Sequence, residues 1–148
     1  MKTKKRKSKF AIAAYDLVVK RSYAGLGLVT HSPIKKGACV IEYVGRVLKP
    51  GEEFTSRSKY LFEVTKKITL DGRPKINKAG YINHSCRPNC EVAIYKRRVY
   101  IMARRNIQAG EELTYDYGKE YWNEYIKPMP CRCDKCTEKG TKKVGRKK

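Results

Sequence analysis

The chain has 148 residues, 41% of them hydrophobic and 33% charged, with a formal net charge of +21. That size and balance predict one soluble folded domain with a modest core, not a disordered chain. No run of roughly 18 apolar residues occurs, which excludes a membrane-spanning helix, and no apolar core or small-residue cleavage site follows the basic N-terminus, so a secretory signal is not expected. An intracellular protein follows, in cytoplasm or nucleoid, or in a nucleus. Residues 1–9 carry six Lys or Arg and no acid, and residues 137–148 carry six against one acid. Such arms attract nucleic acid or other polyanions by neutralising phosphates without reading sequence. The alternatives are plain solubility tails, or lysines that are themselves modified.

Phe10 to Val19 is a mixed run and predicts a first strand. Gly25 and Gly27 then stand among apolar residues in Tyr23-Ala-Gly-Leu-Gly-Leu-Val29. Such a pair marks an ordinary turn or a backbone that approaches a ligand, and it lacks the spacing of a dinucleotide fingerprint. Ala38–Val44 and Arg46–Leu48 read as strands broken by Gly45, and Tyr60–Val64 and Lys67–Leu70 as a pair before the turn Asp71–Pro74. Glu91–Tyr95 and Arg98–Met102 have hairpin spacing around Lys96 and Arg97, and Leu113–Tyr117 predicts a last strand. A short echo links Ile34-Lys-Lys-Gly-Ala-Cys-Val40 to Ile107-Gln-Ala-Gly-Glu-Glu-Leu113. Each copy reads as a turn into a strand, too short to define a repeat architecture. Helix is expected at Glu120–Ile126, ended by Pro128 and Pro130. The fold class is therefore mostly β, built of short strands and loops.

Cys131, Cys133 and Cys136 lie in the compact run Cys-Arg-Cys-Asp-Lys-Cys. Thiols this close suit zinc better than a disulfide framework, because loop closure is cheap once the first ligand is engaged. A reducing compartment follows. The stretch Ala79–Cys90 is the natural source of a fourth ligand; by spacing alone Cys86, Cys90, Cys39 and His84 all qualify. Four thiolates would leave no open position, making the metal structural. Tyr115 and Tyr117 alternate about Asp116 and so share a strand face. With Tyr121, Trp122 and Tyr125 they predict either a channel for a long aliphatic stem or ordinary aromatic packing.

Asn83-His-Ser-Cys-Arg-Pro-Asn-Cys90, Gly110-Glu-Glu-Leu-Thr-Tyr-Asp-Tyr117, Gly25-Leu-Gly27, Ile41-Glu-Tyr43 and the terminal cysteine run come in the order seen in SET-domain protein lysine methyltransferases with a post-SET zinc segment. The chain resembles that family over roughly residues 13–137, without a pre-SET module. The resemblance implies small curved sheets in which the Asn83 stretch is threaded by the segment around Leu113–Tyr117 as a pseudoknot. It implies a basic arm at 1–12, a SET domain at 13–118, a post-SET segment at 119–137 and a basic tail at 138–148. It also implies S-adenosylmethionine (SAM) on one side, near Gly25, Leu26, Gly27, Asn83, His84 and Tyr60, and a target lysine on the other. Cys86 would join Cys131, Cys133 and Cys136 on a structural Zn2+. Two positions depart from the family pattern: Gly80 and Tyr81 replace the frequent arginine and phenylalanine, and two residues, not four, precede the last cysteine.

By the same resemblance Tyr117 is the catalytic tyrosine and Tyr115 the product switch, with tyrosine there favouring monomethylation. The expected substrate is a lysine in an extended segment of a histone, histone-like or other basic protein, with a non-chromatin protein as an alternative. A basic substrate would be repelled by this basic chain unless acids gather nearby; Glu111, Glu112, Asp116, Glu120 and Glu124 are the candidates. The competing class is a non-catalytic basic zinc module that binds nucleic acid.

Overall fold

The computed structural model describes residues 8–22, 25–56, 58 and 60–118. Strands β1 (Leu17–Ser22) and β2 (Gly25–Thr30) pair antiparallel, from Leu17↔Thr30 to Ser22↔Gly25. They are followed by β3 (Cys39–Tyr43), β4 (Arg46–Val47), a single helical turn α1 (Glu52–Thr55), β5 (Leu61–Thr65) and β6 (Ile68–Asp71). A 3₁₀ turn at Lys78–Tyr81 leads into β7 (Asn83–His84), and then come β8 (Cys90–Tyr95), β9 (Arg98–Ala103) and β10 (Thr114–Tyr115). The strands form two three-stranded sheets, ordered β3-β9-β8 and β4-β6-β5, and two two-stranded pairs, β1-β2 and β7-β10. The mostly β architecture matches the expectation.

The hairpin at Lys96 and Arg97 is present, and it shows how β8 and β9 are joined. Both residues have positive φ, 48° and 62°. This left-handed pair matches the right-handed twist of the flanking strands, although Asn-Gly would adopt it with less steric strain. The unbroken register from Cys90↔Ala103 to Tyr95↔Arg98 holds the turn in place. Strand β9 is apolar throughout its last five residues because it is the central strand and both of its faces are covered. Val99, Ile101 and Ala103 enter the main core with Leu28, Ile34, Val40, Ile107 and Leu113. Tyr100 and Met102 point the other way, onto Cys39 and Phe10.

That second cluster corrects the expectation of a strand over Phe10–Val19. Phe10 lies on the outer face of the sheet, its ring 4.6 Å from that of Tyr95 and 4.8 Å from that of Tyr100. Ile12 makes one isolated bridge to Cys39, and regular pairing begins only at Leu17. An anchoring aromatic has displaced the first half of the strand. The expected strand at Leu113–Tyr117 is likewise reduced to Thr114–Tyr115.

The Ile34 and Ile107 echo has a structural meaning. The two isoleucines bridge each other, with Ile34 N–H donating to the Ile107 carbonyl at 2.8 Å and the reverse bond at 2.7 Å. Three residues on, Gly37 and Gly110 both take positive φ, 85° and 95°, where a side chain would be strained. The same short device is used twice, back to back, and it sends one copy into β3 and the other toward β10.

Candidate active site

The two long polar motifs meet where β7 and β10 pair in parallel, Asn83 opposite Thr114 and His84 opposite Tyr115. Two-residue strands supply few ladder bonds, and side chains make up the difference. Asn89, buried, accepts the Thr114 N–H on Oδ1 at 2.9 Å and donates from Nδ2 to the Glu112 carbonyl at 2.8 Å. Ser85 N–H donates to the Tyr115 carbonyl at 3.2 Å, and Tyr117 N–H donates to His84 Nδ1 at 3.1 Å. Because Nδ1 accepts, the ring proton belongs on Nε2, which lies 3.5 Å from Cys86 Sγ. Burial holds the His84 pKa below its ordinary value, against the opposing pull of Asp116 3.7 Å away, so the imidazole is neutral.

Beside this pairing lies an aromatic cavity of about 70 Å³, lined by Tyr43, Tyr60, Leu61, Phe62, Gly80, Tyr115 and Tyr117. The Tyr115 and Tyr117 rings are 4.8 Å apart and those of Tyr43 and Phe62 5.3 Å apart. Tyr117 OH donates to the Ile82 carbonyl and Tyr43 OH to the Tyr60 carbonyl. The walls thus offer apolar ring faces, with phenolic oxygens fixed at defined points. Tyr60 is held from behind: its N–H donates to Ser58 Oγ, which donates to Asp71 Oδ1 at 2.8 Å. Burial would raise the pKa of Asp71, but Arg73 and Ser58 outweigh it and hold the carboxyl below its ordinary value.

Asn83 also contacts the glycine run, which is a strand and not the turn that spacing favoured. Gly25 has φ 98° and open space around it, so its requirement is conformational. Gly27 is different: a Cβ there would sit 2.9 Å from the Glu112 carboxylate and from Ser22 Cβ. Asn83 Nδ2 donates to the Leu26 carbonyl at 3.0 Å, so Gly25, Leu26, Gly27 and Asn83 are brought together, with His84 next in the chain. Tyr60 sits instead at the cavity, with Tyr115 and Tyr117.

Cys86 is half-buried, while Cys39 and Cys90 are buried in separate clusters. Burial pushes the Cys90 thiol up to about 12, which makes it an inert core residue. Cys131, Cys133 and Cys136, the expected helix Glu120–Ile126 with Tyr121, Trp122 and Tyr125, and most of both basic arms lie outside the described residues. Among the described residues no group of three or more His, Cys, Asp or Glu side chains could hold a metal ion. The acidic stretch divides: Glu111 pairs with Arg105 at 2.9 Å, Glu112 turns inward to Asn83, and Asp116 is exposed.

Sequence reasoning gave no site role to Tyr43, Phe62, Ser22 or Asn89. Tyr43 and Phe62 read as strand residues, and strand alternation does not tell a cavity wall from a core. Asn89 carried a usable signal, as a second asparagine in the polar Ala79–Cys90 stretch.

The SET domain family profile matches residues 25–118. The chain belongs to the SET-domain family. Similar proteins include histone-lysine N-methyltransferase ash1 of Drosophila melanogaster, 35% identical over 74% of this chain and 5% of that protein. The H3 lysine-4 specific histone-lysine N-methyltransferase of Schizosaccharomyces pombe is 37% identical over 78% of this chain and 14% of that protein. For ASHH3 of Arabidopsis thaliana the identity is 38%, over 68% of this chain and 31% of that protein. The matched region is thus less than a third of each of these relatives. Among solved structures, KRYPTONITE in complex with mCHH DNA, H3(1-15) peptide and SAH is 33% identical, with a TM-score of 0.61, over 71% of this chain and 24% of that one. The SET segment includes Gly25, Asn83, His84 and Tyr117, and so both strands of the β7-β10 pairing.

Proposed function

We propose that this SET-domain chain is a SAM-dependent protein lysine N-methyltransferase acting on a histone, histone-like or other basic protein. The observation that carries the reading is that Asn83-His84 adjoins both the tyrosine-lined cavity, through His84 beside Tyr117, and the glycine run, through the Asn83 bond to Leu26. The names of the relatives support the histone substrate, and the SAH and H3 peptide bound by KRYPTONITE support the pair of ligands. An intracellular, nuclear or nucleoid, location is part of the same reading.

Gly25, Leu26, Gly27, Asn83 and His84 would hold SAM, with Tyr60 nearby. When bound, SAM supplies a sulfonium-activated methyl group. The aromatic cavity takes the lysine stem, and desolvation there disfavours the ammonium, so its proton leaves to water and the nitrogen lone pair is freed. In that transfer an N–C bond would replace the S–C bond, whose electron pair would stay on sulfur. Tyr117 and Tyr115 orient the amine; their contribution is placement and fixed dipoles, not proton abstraction. Tyr115 restricts the space beside the nitrogen, and we assign it monomethyl specificity.

The threaded pseudoknot is supported by the parallel β7-β10 pairing and the Asn89 bonds to the Glu112–Thr114 segment. The basic arm at 1–12, the SET domain at 13–118, the post-SET segment at 119–137 and the basic tail at 138–148 complete the proposed organisation, with the arms free to contact nucleic acid. The fit of Zn2+ rests here on Cys86, whose Sγ faces the protonated Nε2 of His84, a donor that stabilises thiolate character. Cys131, Cys133 and Cys136 would complete the site.

Incubation with SAM and an H3-tail peptide, a histone-like protein or a mixed basic-protein extract should give a methylated lysine by mass spectrometry. Tyr117→Phe should slow transfer on the order of 100-fold. A chain that binds nucleic acid but methylates nothing would leave only the binding-module reading. For the metal, elemental analysis should give one zinc per chain, lost in Cys86→Ser and kept in Cys90→Ser; equal metal in both variants removes Cys86 from the ligand set.

A further inference from the structure

Glu112 lies in neither the cavity nor the glycine run, yet its carboxylate touches both β1 and β7. Its backbone is fixed by a bridge to Val29 and by Asn89 Nδ2 on its carbonyl at 2.8 Å. From there the side chain crosses the backbone of β2 at Gly27, where a Cβ would meet the carboxylate at 2.9 Å. Oε1 accepts the Ser22 hydroxyl, and Oε2 accepts Asn83 Nδ2 at 3.1 Å. No Lys or Arg of the described residues pairs with this carboxylate. Gly27 therefore leaves room for a side chain of the protein itself to pass.

The consequence falls on Asn83. Its Nδ2 donates both to the Leu26 carbonyl and to Glu112. The reversed amide would set Oδ1 against a carbonyl oxygen and a carboxylate, three acceptors with no proton among them. The chemistry of the two neighbours thus fixes which way the amide faces. Oδ1 is left over, and no described residue donates a hydrogen bond to it.

We infer that Glu112 is a positioning residue for the methyl donor, locking the Asn83 amide with its acceptor toward the α-ammonium of the amino-acid end of SAM. This rests on the proposed methyl-transfer reading. The ammonium is present in both SAM and SAH, so the lock serves both ligands alike. A charge effect on the sulfonium would favour SAM alone.

The test is calorimetric binding of SAM and of SAH to the full chain, with methylation kinetics alongside. Glu112→Ala should weaken both ligands about tenfold, raise KM for SAM and leave KM for the peptide unchanged. Glu112→Gln keeps an acceptor for Asn83 and should retain most of the affinity. Glu112→Asp, one methylene shorter, should lose several-fold and keeps the test decisive if the alanine variant does not fold. In an Asn83→Ala background the Glu112→Ala loss should vanish. Undiminished binding in both Glu112→Ala and Glu112→Asp, an equal loss with and without Asn83, or a loss confined to SAM would overturn the inference. A wild-type chain that binds neither SAM nor SAH would instead overturn the proposed function.

Discussion

The β3-β9-β8 sheet and the β7-β10 pairing are fixed in opposite ways. The sheet has an unbroken ladder of six registered pairs between β8 and β9, four more pairs between β3 and β9 around one register shift, and a central strand packed on both faces. The pairing at the site has two registered pairs and depends on the side chains of Asn89, Asn83, His84 and Glu112 for the rest. Loss of one apolar group in the sheet is shared among many contacts. A buried polar bond, once broken, leaves its partner unsatisfied at the full desolvation penalty. The site should therefore be fragile to single substitutions that the sheet would absorb.

The largest test of that contrast sets Asn89→Ala against Ile101→Val. The first leaves the buried Thr114 N–H without a partner, about 1–3 kcal/mol, and also removes the part-buried bond to the Glu112 carbonyl. The second removes one methylene from a fully buried side chain, about 0.5–1.5 kcal/mol. Denaturant melts should rank Asn89→Ala well below Ile101→Val. Activity per folded molecule should fall only in the former, since only Asn89 holds the segment that carries Tyr115 and Tyr117. Comparable melts and comparable activities would mean that the polar bonds are not what holds the pairing.

A smaller effect probes the wall of the cavity through pH. The folded-state pKa of Asp71 is depressed, so its bonds to Ser58 and Arg73 stabilise the fold above the ordinary carboxylate pKa. That contribution is lost as pH falls through the folded value. Thermal melts from neutral to strongly acidic pH should show this loss in the wild type and a flatter acid limb in Asp71→Asn. Identical limbs would leave the Ser58–Asp71–Arg73 cluster without a role in holding Tyr60.

The same contrast explains what was legible in the sequence. Strands such as Ala38–Val44 and the Lys96-Arg97 hairpin announce themselves through local pattern, because a ladder imposes alternation on consecutive residues. The encounter of Asn83 with Thr114 does not; it joins segments about thirty residues apart, and only the family resemblance brought them together. The need for a glycine at 27 is only half legible for a related reason. Spacing shows that a glycine is needed but not what presses against it, and Glu112 lies far along the chain. Phe10 shows the converse, since a residue with high strand propensity was taken for packing across a sheet face. The paired isoleucines at 34 and 107 were visible as an echo, but nothing local says that two turns sit back to back.

The finest test removes a single oxygen atom. Tyr115 is buried, its ring 4.8 Å from that of Tyr117 on the cavity wall, and phenylalanine fills the same ring volume. Tyr115→Phe should therefore leave the fold and the first methyl transfer nearly intact. Its effect falls on what happens next. On the proposed reading the phenolic hydroxyl lies beside the lysine nitrogen and would hold a water or bond the amine, so that a second methyl would have to displace that partner or leave the hydroxyl unpaired. With the oxygen gone, the methylated amine can turn and present its lone pair again. Time-resolved mass spectrometry should find predominantly monomethyl-lysine from the wild type and accumulating dimethyl- or trimethyl-lysine from Tyr115→Phe, at a similar rate of first transfer. Abundant trimethyl-lysine from the wild type, or an unchanged product in the variant, would take the specificity role away from Tyr115 and leave it as a wall of the cavity.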